Sequence, residues 1–145
     1  MILVDANLLI YAGVKGMSQH RAALGWLDRS LSEGPSLGLP WESVLAFVRI
    51  VTNSRAFENP LRTREAWEMV RRWLDHRTVW VPLPTERHAD VLERLLMVHG
   101  VRANLAMDAH LAALAIEHGL TLCTTDGDFA RFPDLRWENP LSCIG

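Results

Sequence analysis

Short apolar runs alternate along the chain with longer segments whose apolar residues recur at helical spacing. The short runs span residues 1–4, 36–39, 78–81, 120–124 and 135–137, and glycine, proline or polar residues bound each of them. Runs of this length are typical of buried strands, and helices between them are typical of parallel strands joined by crossovers. The pattern therefore predicts an α/β fold with about five strands.

The helical segments carry recognisable start and stop residues. Ser18, Thr63 and Thr85 are the predicted N-caps of three helices, and Pro40 suits the first helical position of another. Gly119 is the predicted stop of the last helix. The predicted segments cover residues 18–33, 40–53, 63–75, 85–100 and 104–119.

Length and composition indicate one domain with a substantial core. A chain of 145 residues with 49% hydrophobic content can bury most of its apolar surface without a disulfide or a structural metal. We therefore expect residues 1–145 to form a single domain. The formal net charge is −2, so any nucleic acid must be held by a local basic surface.

The sequence favours a cytoplasmic protein without a membrane partner. It has neither a signal peptide nor an apolar run that approaches the length of a membrane span. Cys123 and Cys143 are the only cysteines, and we expect both to be free thiols.

Acidic residues follow the predicted strands. Asp5 follows the first strand, Glu42 follows the second, and Asp126 and Asp128 follow the fourth. Ligands of parallel α/β sheets gather at the carboxyl ends of the strands. Asp108, near the start of the last helix, joins them if that helix begins beside the strand ends.

Carboxylates brought together in this way need a cation. Mutual repulsion and the cost of desolvation make such a cluster unstable alone, and an oxygen-only ligand set favours Mg²⁺ or Mn²⁺ over zinc. A cation bound by carboxylates can activate water and stabilise an in-line phosphoryl displacement. The constellation therefore best fits phosphodiester hydrolysis.

Each acid also has a purely local interpretation. Asp5 suits the N-cap of a short helix, and the helix macrodipole favours Glu42 and Asp108 near helix N-termini. Asp126 followed by Gly127 is typical of a two-residue hairpin turn. The local interpretation as a whole requires four separate coincidences at one edge of the sheet.

Four segments carry a family resemblance. They are "VDANLLIYA" with Asp5, "PWESVLAFVRI" with Glu42, "MDAHLAALAIEHG" with Asp108, and "LCTTDGDFARF" with Asp126 and Asp128. In this order and spacing the chain resembles the PIN-domain nucleases, and among them the VapC-type toxins of bacterial toxin–antitoxin pairs. The segments span nearly the whole chain.

The resemblance implies a fold and a set of site residues. The fold is a three-layer α/β/α sandwich around a five-stranded parallel sheet. The implied catalytic residues, which also hold Mg²⁺ or Mn²⁺, are Asp5, Glu42, Asp108 and Asp126. By the same resemblance, Asp128 is an auxiliary ligand, and Asn7 and Thr124 orient the carboxylates.

The resemblance also implies an activity and partners. Members of the family cut RNA endonucleolytically in single-stranded loops of transfer, ribosomal or messenger RNA, and they leave a 5′-phosphate. The implied partners are an RNA substrate, a cognate antitoxin and a second copy of the chain. The helical segments from Trp41 to Trp73 are rich in apolar residues that could be exposed, such as Phe47, Ile50, Val51 and Phe57. We expect part of that surface to bind the antitoxin or the second copy.

Substrate contacts are harder to place. The first candidates for a basic rim are Arg49, Arg55 and Arg102, because phosphate contacts must supply the affinity that an acidic pocket repels. Further candidates are Arg62, Arg64, Arg71 and Arg72. His88 and His110 are interpreted as surface or helix-flank residues, since His110 lies two residues past Asp108 and so faces another side of its helix.

Two other classes of protein remain open. A haloacid-dehalogenase-like phosphohydrolase also has an aspartate after its first strand, but it requires a second aspartate where this chain has Asn7. A non-catalytic PIN-like module that binds RNA or protein would lack one or more of the acids, and here all are present.

Overall fold

The computed structural model describes residues 1–98 and 100–142, and Cys143 lies outside that part of the chain. Five short strands form one parallel sheet, in the order β3-β2-β1-β4-β5. The strands are β1 (Ile2–Val4), β2 (Leu37–Gly38), β3 (Val79–Trp80), β4 (Thr121–Cys123) and β5 (Trp137–Glu138). The predicted five-stranded parallel sheet is confirmed.

Six α-helices connect the strands within residues 1–98 and 100–142. They are α1 (Ala6–Gly13), α2 (His20–Glu33), α3 (Trp41–Val51), α4 (Thr63–Leu74), α5 (His88–Leu96) and α6 (Leu105–Glu117). A 3₁₀ helix, Gly127–Arg131, follows β4. None of the described helices combines the length and the apolar character that crossing a membrane requires.

Four of the five predicted helix starts were wrong by one or two residues. Thr63 is already helical, and Arg62 precedes it with its backbone N–H donating to Glu65 Oε1 at 3.2 Å. Pro40 is the N-cap of α3 and not its first helical residue. Ser18 and Thr85 lie outside their helices, and their hydroxyls bond to other side chains. At Ser18 and Thr85 these hydrogen bonds compete with the expected cap.

Two apolar cores flank the sheet. Alternate residues of β1 point to opposite faces, so Val4 packs against α1 to α4 and Leu3 packs against α5 and α6. On the first face Phe47 is fully buried and meets Trp73 edge-on, with ring centroids 5.0 Å apart. The three-layer α/β/α sandwich predicted by the family resemblance is confirmed.

The strand order reverses between β1 and β4, which are neighbours at the centre of the sheet. The chain fills the sheet from β1 outwards to β3, then returns to add β4 and β5 on the other side of β1. The Asp5 backbone N–H donates to the Cys123 carbonyl at 3.0 Å, so the two strand ends are aligned. Crevices at such reversals are where open α/β sheets bind ligands.

A buried hydrogen bond joins α3 to the end of β1. The Ser43 hydroxyl donates to the Val4 carbonyl at 2.7 Å, and Ser43 is only 2% exposed. Since Ser43 follows Glu42 and Val4 precedes Asp5, the bond fixes the backbones of two predicted site residues relative to each other.

We predict that Ser43→Ala destabilises the protein by about 1–2 kcal/mol, because the buried Val4 carbonyl loses this donor. Chemical denaturation measures the change. Ser32→Ala removes a similar hydroxyl-to-carbonyl bond on the exposed face of α2 and should cost less than about 0.5 kcal/mol. Equal losses in the two variants would contradict the prediction.

Candidate active site

Asp5 is held by a small polar network where β1 ends. Its Oδ1 accepts a hydrogen bond from the Ala6 backbone at 2.7 Å, and its Oδ2 accepts one from the Thr124 hydroxyl at 2.8 Å. The Asn7 side-chain amide donates to Asp5 Oδ2 at 3.3 Å and to Thr124 Oγ1 at 3.0 Å. Asp5 is thus the N-cap of α1, as its local interpretation predicted. It also lies at the carboxyl end of β1, where open α/β sheets bind ligands.

Asp126 begins the 3₁₀ helix after β4. Its backbone N–H donates to Thr124 Oγ1 at 3.1 Å, and its Oδ1 accepts from the Asp128 backbone at 2.9 Å. The alternative of a hairpin turn at Asp126 was wrong, because β5 runs parallel to β4 and a helical turn connects the two. Thr124 therefore links the chain after β4 to Asp5.

Asp108 lies in the first turn of α6. Burial is the largest cause that raises its pKa from 3.8 to about 6, and repulsion from Asp126, Asp5 and Asp128 adds to it. Arg131 opposes the shift. Asp5, Asp126 and Asp128 are therefore close enough to Asp108 to disfavour its ionisation.

Burial also raises the pKa of Asp5, with a contribution from the charge of Asp126. The hydrogen bonds from Thr124 and Ala6 act in the opposite direction but do not outweigh burial. Ionisation of Asp5 and of Asp108 is therefore unfavourable in the absence of a cation.

Asp128 differs from the other three aspartates. Its side chain is 62% exposed, and Arg131 NH2 lies 3.8 Å from its Oδ1. The Arg131 guanidinium also donates to the backbone carbonyls of Asp128 at 3.0 Å and Gly100 at 3.3 Å. Arg131 was not singled out from the sequence, although its spacing three residues after Asp128 is typical of a helical ion pair.

Glu42, in the first turn of α3, has a different environment. His110 Nε2 lies 3.1 Å from Glu42 Oε1, and this hydrogen bond lowers the pKa of Glu42 against the opposing effect of burial. The charge of the His110–His88 pair also lowers it. Glu42 Oε2 is buried and has no hydrogen-bond partner in the described structure.

The interpretation of His88 and His110 as surface or helix-flank residues was wrong. Their side chains are only 15% and 20% exposed, and the two rings meet edge to face. His110 does face another side of α6 than Asp108, but that side is the one that meets Glu42. Residue spacing along α6 gives the direction of His110 without showing what α3 places there.

The arrangement is a loose gathering of carboxylates. Within residues 1–98 and 100–142, no three Asp, Glu, His or Cys side chains converge closely enough to form a preformed metal site. The donors are nevertheless oxygen atoms of repelling carboxylates, together with the orphaned Glu42 Oε2. This donor set fits a hard divalent cation, which would relieve the repulsion and give the buried oxygen a partner.

The arginine candidates separate by position. Arg49 lines a shallow cleft of about 340 Å³ beside Glu42, together with Trp41, Leu45, Ala46 and Met107. Arg55 and Arg102 are exposed, and no side-chain contact in the described part of the chain joins either to the carboxylates. A larger cavity of about 770 Å³ involves α1 and α4 and contains none of the five site carboxylates.

Part of the expected partner surface lies in the core. Phe47 and Val51 are 0% and 1% exposed, so the expectation that they bind an antitoxin or a second copy was wrong. Their positions on α3 face the sheet, where burial of apolar area stabilises the fold. Ile50 and Phe57 are half-buried.

Known proteins are similar to this chain over nearly its whole length. The model of the family described as "PIN domain" matches residues 2–135. Ribonuclease VapC37 of Mycobacterium tuberculosis is 44% identical over 144 residues, which cover 99% of this chain and 100% of that relative. Ribonuclease VapC33 of the same species is 38% identical over 141 residues, with 97% and 99% covered.

Solved structures share the fold. The Mycobacterium tuberculosis toxin VapC20, described as cleaving the sarcin-ricin loop, has a TM-score of 0.67 at 21% identity and covers 94% of this chain and 99% of its own. A chain of the Rickettsia felis VapBC2 complex, bound to a DNA fragment from its promoter, has a TM-score of 0.69 at 17% identity, with 96% and 98% covered.

We predict that Asp108→Asn stabilises the metal-free protein at pH 7. With a native pKa of about 6 against 3.8 ordinarily, Asp108 binds its proton more tightly when folded, so stability falls as pH rises from about 4 to about 6. The gain at pH 7 should be about 1 kcal/mol, because partial exposure screens the charge.

Urea denaturation in chelator at pH 7 and at pH 4.5 measures this effect. The gain should fall to about a third of its pH 7 value at pH 4.5, where Asp108 is mostly protonated in the folded protein but mostly ionised in the unfolded chain. Asp28→Asn, at an exposed position on α2, should change stability by less than about 0.5 kcal/mol at either pH. A gain that is independent of pH would contradict the electrostatic account of Asp108.

Proposed function

The chain belongs to the PIN-domain family, and from that premise we propose that it is a divalent-metal-dependent endoribonuclease, the toxin of a bacterial toxin–antitoxin pair. The single observation that carries the proposal is the gathering of Asp5, Asp108 and Asp126 at the strand-order reversal between β1 and β4. Near-full-length identity to proteins named as ribonucleases supports it. We also propose that residues 1–145 form one PIN domain.

The residues proposed to hold Mg²⁺ or Mn²⁺ are Asp5, Glu42, Asp108 and Asp126, with Asp128 as an auxiliary ligand. Two features of the structure support this set. Repulsion among the aspartates favours a cation between them, and Glu42 Oε2 is buried without a partner. The oxygen-only donors favour a hard cation over zinc.

The chain itself contributes orientation and charge. Thr124 and Asn7 hold the Asp5 carboxylate by hydrogen bonds. The backbone N–H of Asp126, after β4, donates to the same Thr124 hydroxyl. A divalent cation held by these carboxylates would supply electrophilic stabilisation of the scissile phosphate and activation of a water molecule for attack. Because water and not the ribose 2′-hydroxyl attacks, the products carry a 5′-phosphate and a 3′-hydroxyl.

Affinity for RNA must come from outside the carboxylates, since these repel phosphate. Arg49 is the favoured candidate because it shares the cleft beside Glu42 with the exposed Trp41. An unpaired base could stack on an exposed indole of this kind while an arginine contacts the phosphate. This arrangement favours a single-stranded segment, such as a loop of transfer, ribosomal or messenger RNA.

We propose a cognate antitoxin and a second copy of the chain as protein partners. The antitoxin proposal is supported by the relatives of known structure, one of which is part of the VapBC2 complex. An RNA substrate and the buried free thiol of Cys123 are consistent with the cytoplasm as the place of action.

The two alternative classes fare differently. Where a haloacid-dehalogenase-like enzyme requires a second aspartate, this chain has Asn7, whose amide cannot act as a general acid or base. Here that amide donates hydrogen bonds to Asp5 and Thr124. A PIN-like module that binds RNA without cutting has the same fold, so only an activity measurement separates it from the nuclease.

The experiment that tests the proposal is cleavage of a structured RNA pool by the purified protein, with Mg²⁺, with Mn²⁺ and with chelator. Asp126→Asn should lower the cleavage rate at least 100-fold, because it removes a charged ligand of the proposed cation. Sequencing of the product ends should show 5′-phosphates. Asp134→Asn, on the exposed Arg94–Asp134 pair, serves as the matched control.

Loss of cleavage in chelator and in Asp126→Asn, with Asp134→Asn equal to wild type, would support the nuclease. If the wild type binds RNA without cutting it under any metal condition, the binding module replaces the nuclease. Cleavage that survives both chelator and Asp126→Asn would overturn the carboxylate site.

We further predict that Arg49→Gln weakens binding of a single-stranded RNA oligonucleotide and makes the dependence of log K on log salt shallower by about 0.7. Fluorescence anisotropy in an Asp126→Asn background measures binding without cleavage. Arg77→Gln is the control. Arg77 precedes β3 and so lies towards the amino ends of the strands, away from the carboxylates. Equal salt slopes for the two variants would remove Arg49 from the RNA surface.

A further inference from the structure

A chain of hydrogen bonds runs from the interior of the protein to Glu42. Glu117, near the end of α6, contacts His88 Nδ1, and His88 Nε2 lies 3.0 Å from His110 Nδ1. His110 Nε2 in turn lies 3.1 Å from Glu42 Oε1. The chain thus connects two carboxylates through two imidazole rings drawn from α5 and α6.

Glu117 is a fixed anchor for this chain. Its side chain is fully buried, and its Oε1 accepts from the Thr85 backbone at 2.9 Å and from the Thr85 hydroxyl at 2.5 Å. Burial by itself would raise the pKa of Glu117, but the hydrogen bonds from Thr85 and His88 outweigh it and lower the pKa. A buried carboxylate with every oxygen bonded holds its donors in one geometry.

The direction of the hydrogen bonds follows from the chemistry of the end groups. Ionised carboxylates only accept, so His88 Nδ1 donates to Glu117 and His110 Nε2 donates to Glu42. The two facing nitrogens, His88 Nε2 and His110 Nδ1, then share one hydrogen. Both rings are thereby held in position, each by a bond at both of its nitrogens.

The far end of the chain leaves one oxygen of Glu42 available. Oε1 is occupied by His110, whereas Oε2 is buried and without a partner in the described structure. Ser43 fixes the backbone beside Glu42, but within the described residues no other side chain fixes the Glu42 carboxylate itself. His110 is therefore the group that selects which oxygen of Glu42 is free.

We propose that His110, held by His88 and Glu117, is a positioning residue that orients the Glu42 carboxylate so that Oε2 is presented to the divalent cation. This inference rests on the proposed function, because it takes Glu42 as a ligand of that cation. Through these hydrogen bonds, side chains of α5 and α6 orient a carboxylate that lies on α3. It assigns the two histidines no acid–base step.

A merely structural role would look different. If the chain of bonds only fastens α5 and α6 to α3, removal of either histidine lowers stability and leaves the affinity for a cation unchanged. If it positions Glu42, removal weakens cation binding, and the loss requires Glu42 to be present. Cation affinity therefore separates the two roles without any measurement of cleavage.

The experiment is calorimetric titration of the metal-free protein with Mn²⁺, for the wild type, His110→Ala, His110→Gln and His88→Ala. His110→Ala should weaken Mn²⁺ binding about 10-fold or more, the usual effect of losing a group that orients a ligand. His110→Gln should stay within about threefold of wild type, because its side-chain amide can donate from the place of Nε2. His88→Ala should fall between the two.

Three further variants serve as controls. His118, at the end of α6, bonds to the Leu83 carbonyl and takes no part in the hydrogen bonds that lead from Glu117 to Glu42. The His118→Ala variant should therefore bind Mn²⁺ like wild type. Asp108→Asn should weaken binding whatever the histidines do. In a Glu42→Gln background, His110→Ala should cause no further loss, since the coupling acts through the Glu42 carboxylate.

The outcomes distinguish this inference from the proposed function. If Asp108→Asn weakens Mn²⁺ binding but His110→Ala does not, the positioning role is overturned and the metal site stands. The positioning role is also overturned if His110→Ala costs as much in the Glu42→Gln background as in the wild type. If the wild type binds no Mn²⁺, both fall together.

Discussion

Repulsion among the aspartates that follow β1 and β4 is the constraint on which the rest of the site depends. Parallel pairing of the two strands brings Asp5 and Asp126 to one edge, and the first turn of α6 adds Asp108. Burial and like charge raise the pKa of Asp108 to about 6. The two apolar cores stabilise the fold against this repulsion. Within the site, hydrogen bonds from Thr124 and Asn7 stabilise the Asp5 carboxylate.

Glu42 shows that the site holds two kinds of carboxylate. The aspartates are kept together against their charge, whereas Glu42 is stabilised as an anion by a hydrogen bond from His110. A divalent cation would relieve the first environment and complete the second, since Glu42 Oε2 has no other partner in the described structure. The site draws on both layers of the sandwich. Glu42 on α3 and Asp5 before α1 come from one face of the sheet, whereas Asp108 and His110 come from α6 on the other.

Much of the fold and the aspartate set could be predicted from the sequence, because strand ends, helical periodicity and acidic residues after strands are local patterns. Helix starts such as Thr63 and Thr85 were misplaced, since hydrogen bonds to Glu65 and Glu117 decide them and these depend on neighbouring groups. The roles of His110 and His88 could not be read from spacing. They depend on how α5 and α6 pack against each other and against the start of α3, which is a tertiary contact with no local signature.

These carboxylates are proposed to form one cation site at the carboxyl ends of β1 and β4. Anomalous diffraction from crystals soaked in Mn²⁺ tests it most directly, because it locates the ion without reference to RNA or to the rate of cleavage. We expect a manganese peak within about 2.0–2.4 Å of oxygens from Asp5, Asp108 or Asp126, with Glu42 Oε2 facing it directly or through water. A peak elsewhere, or none at these strand ends, would contradict the proposed cation site.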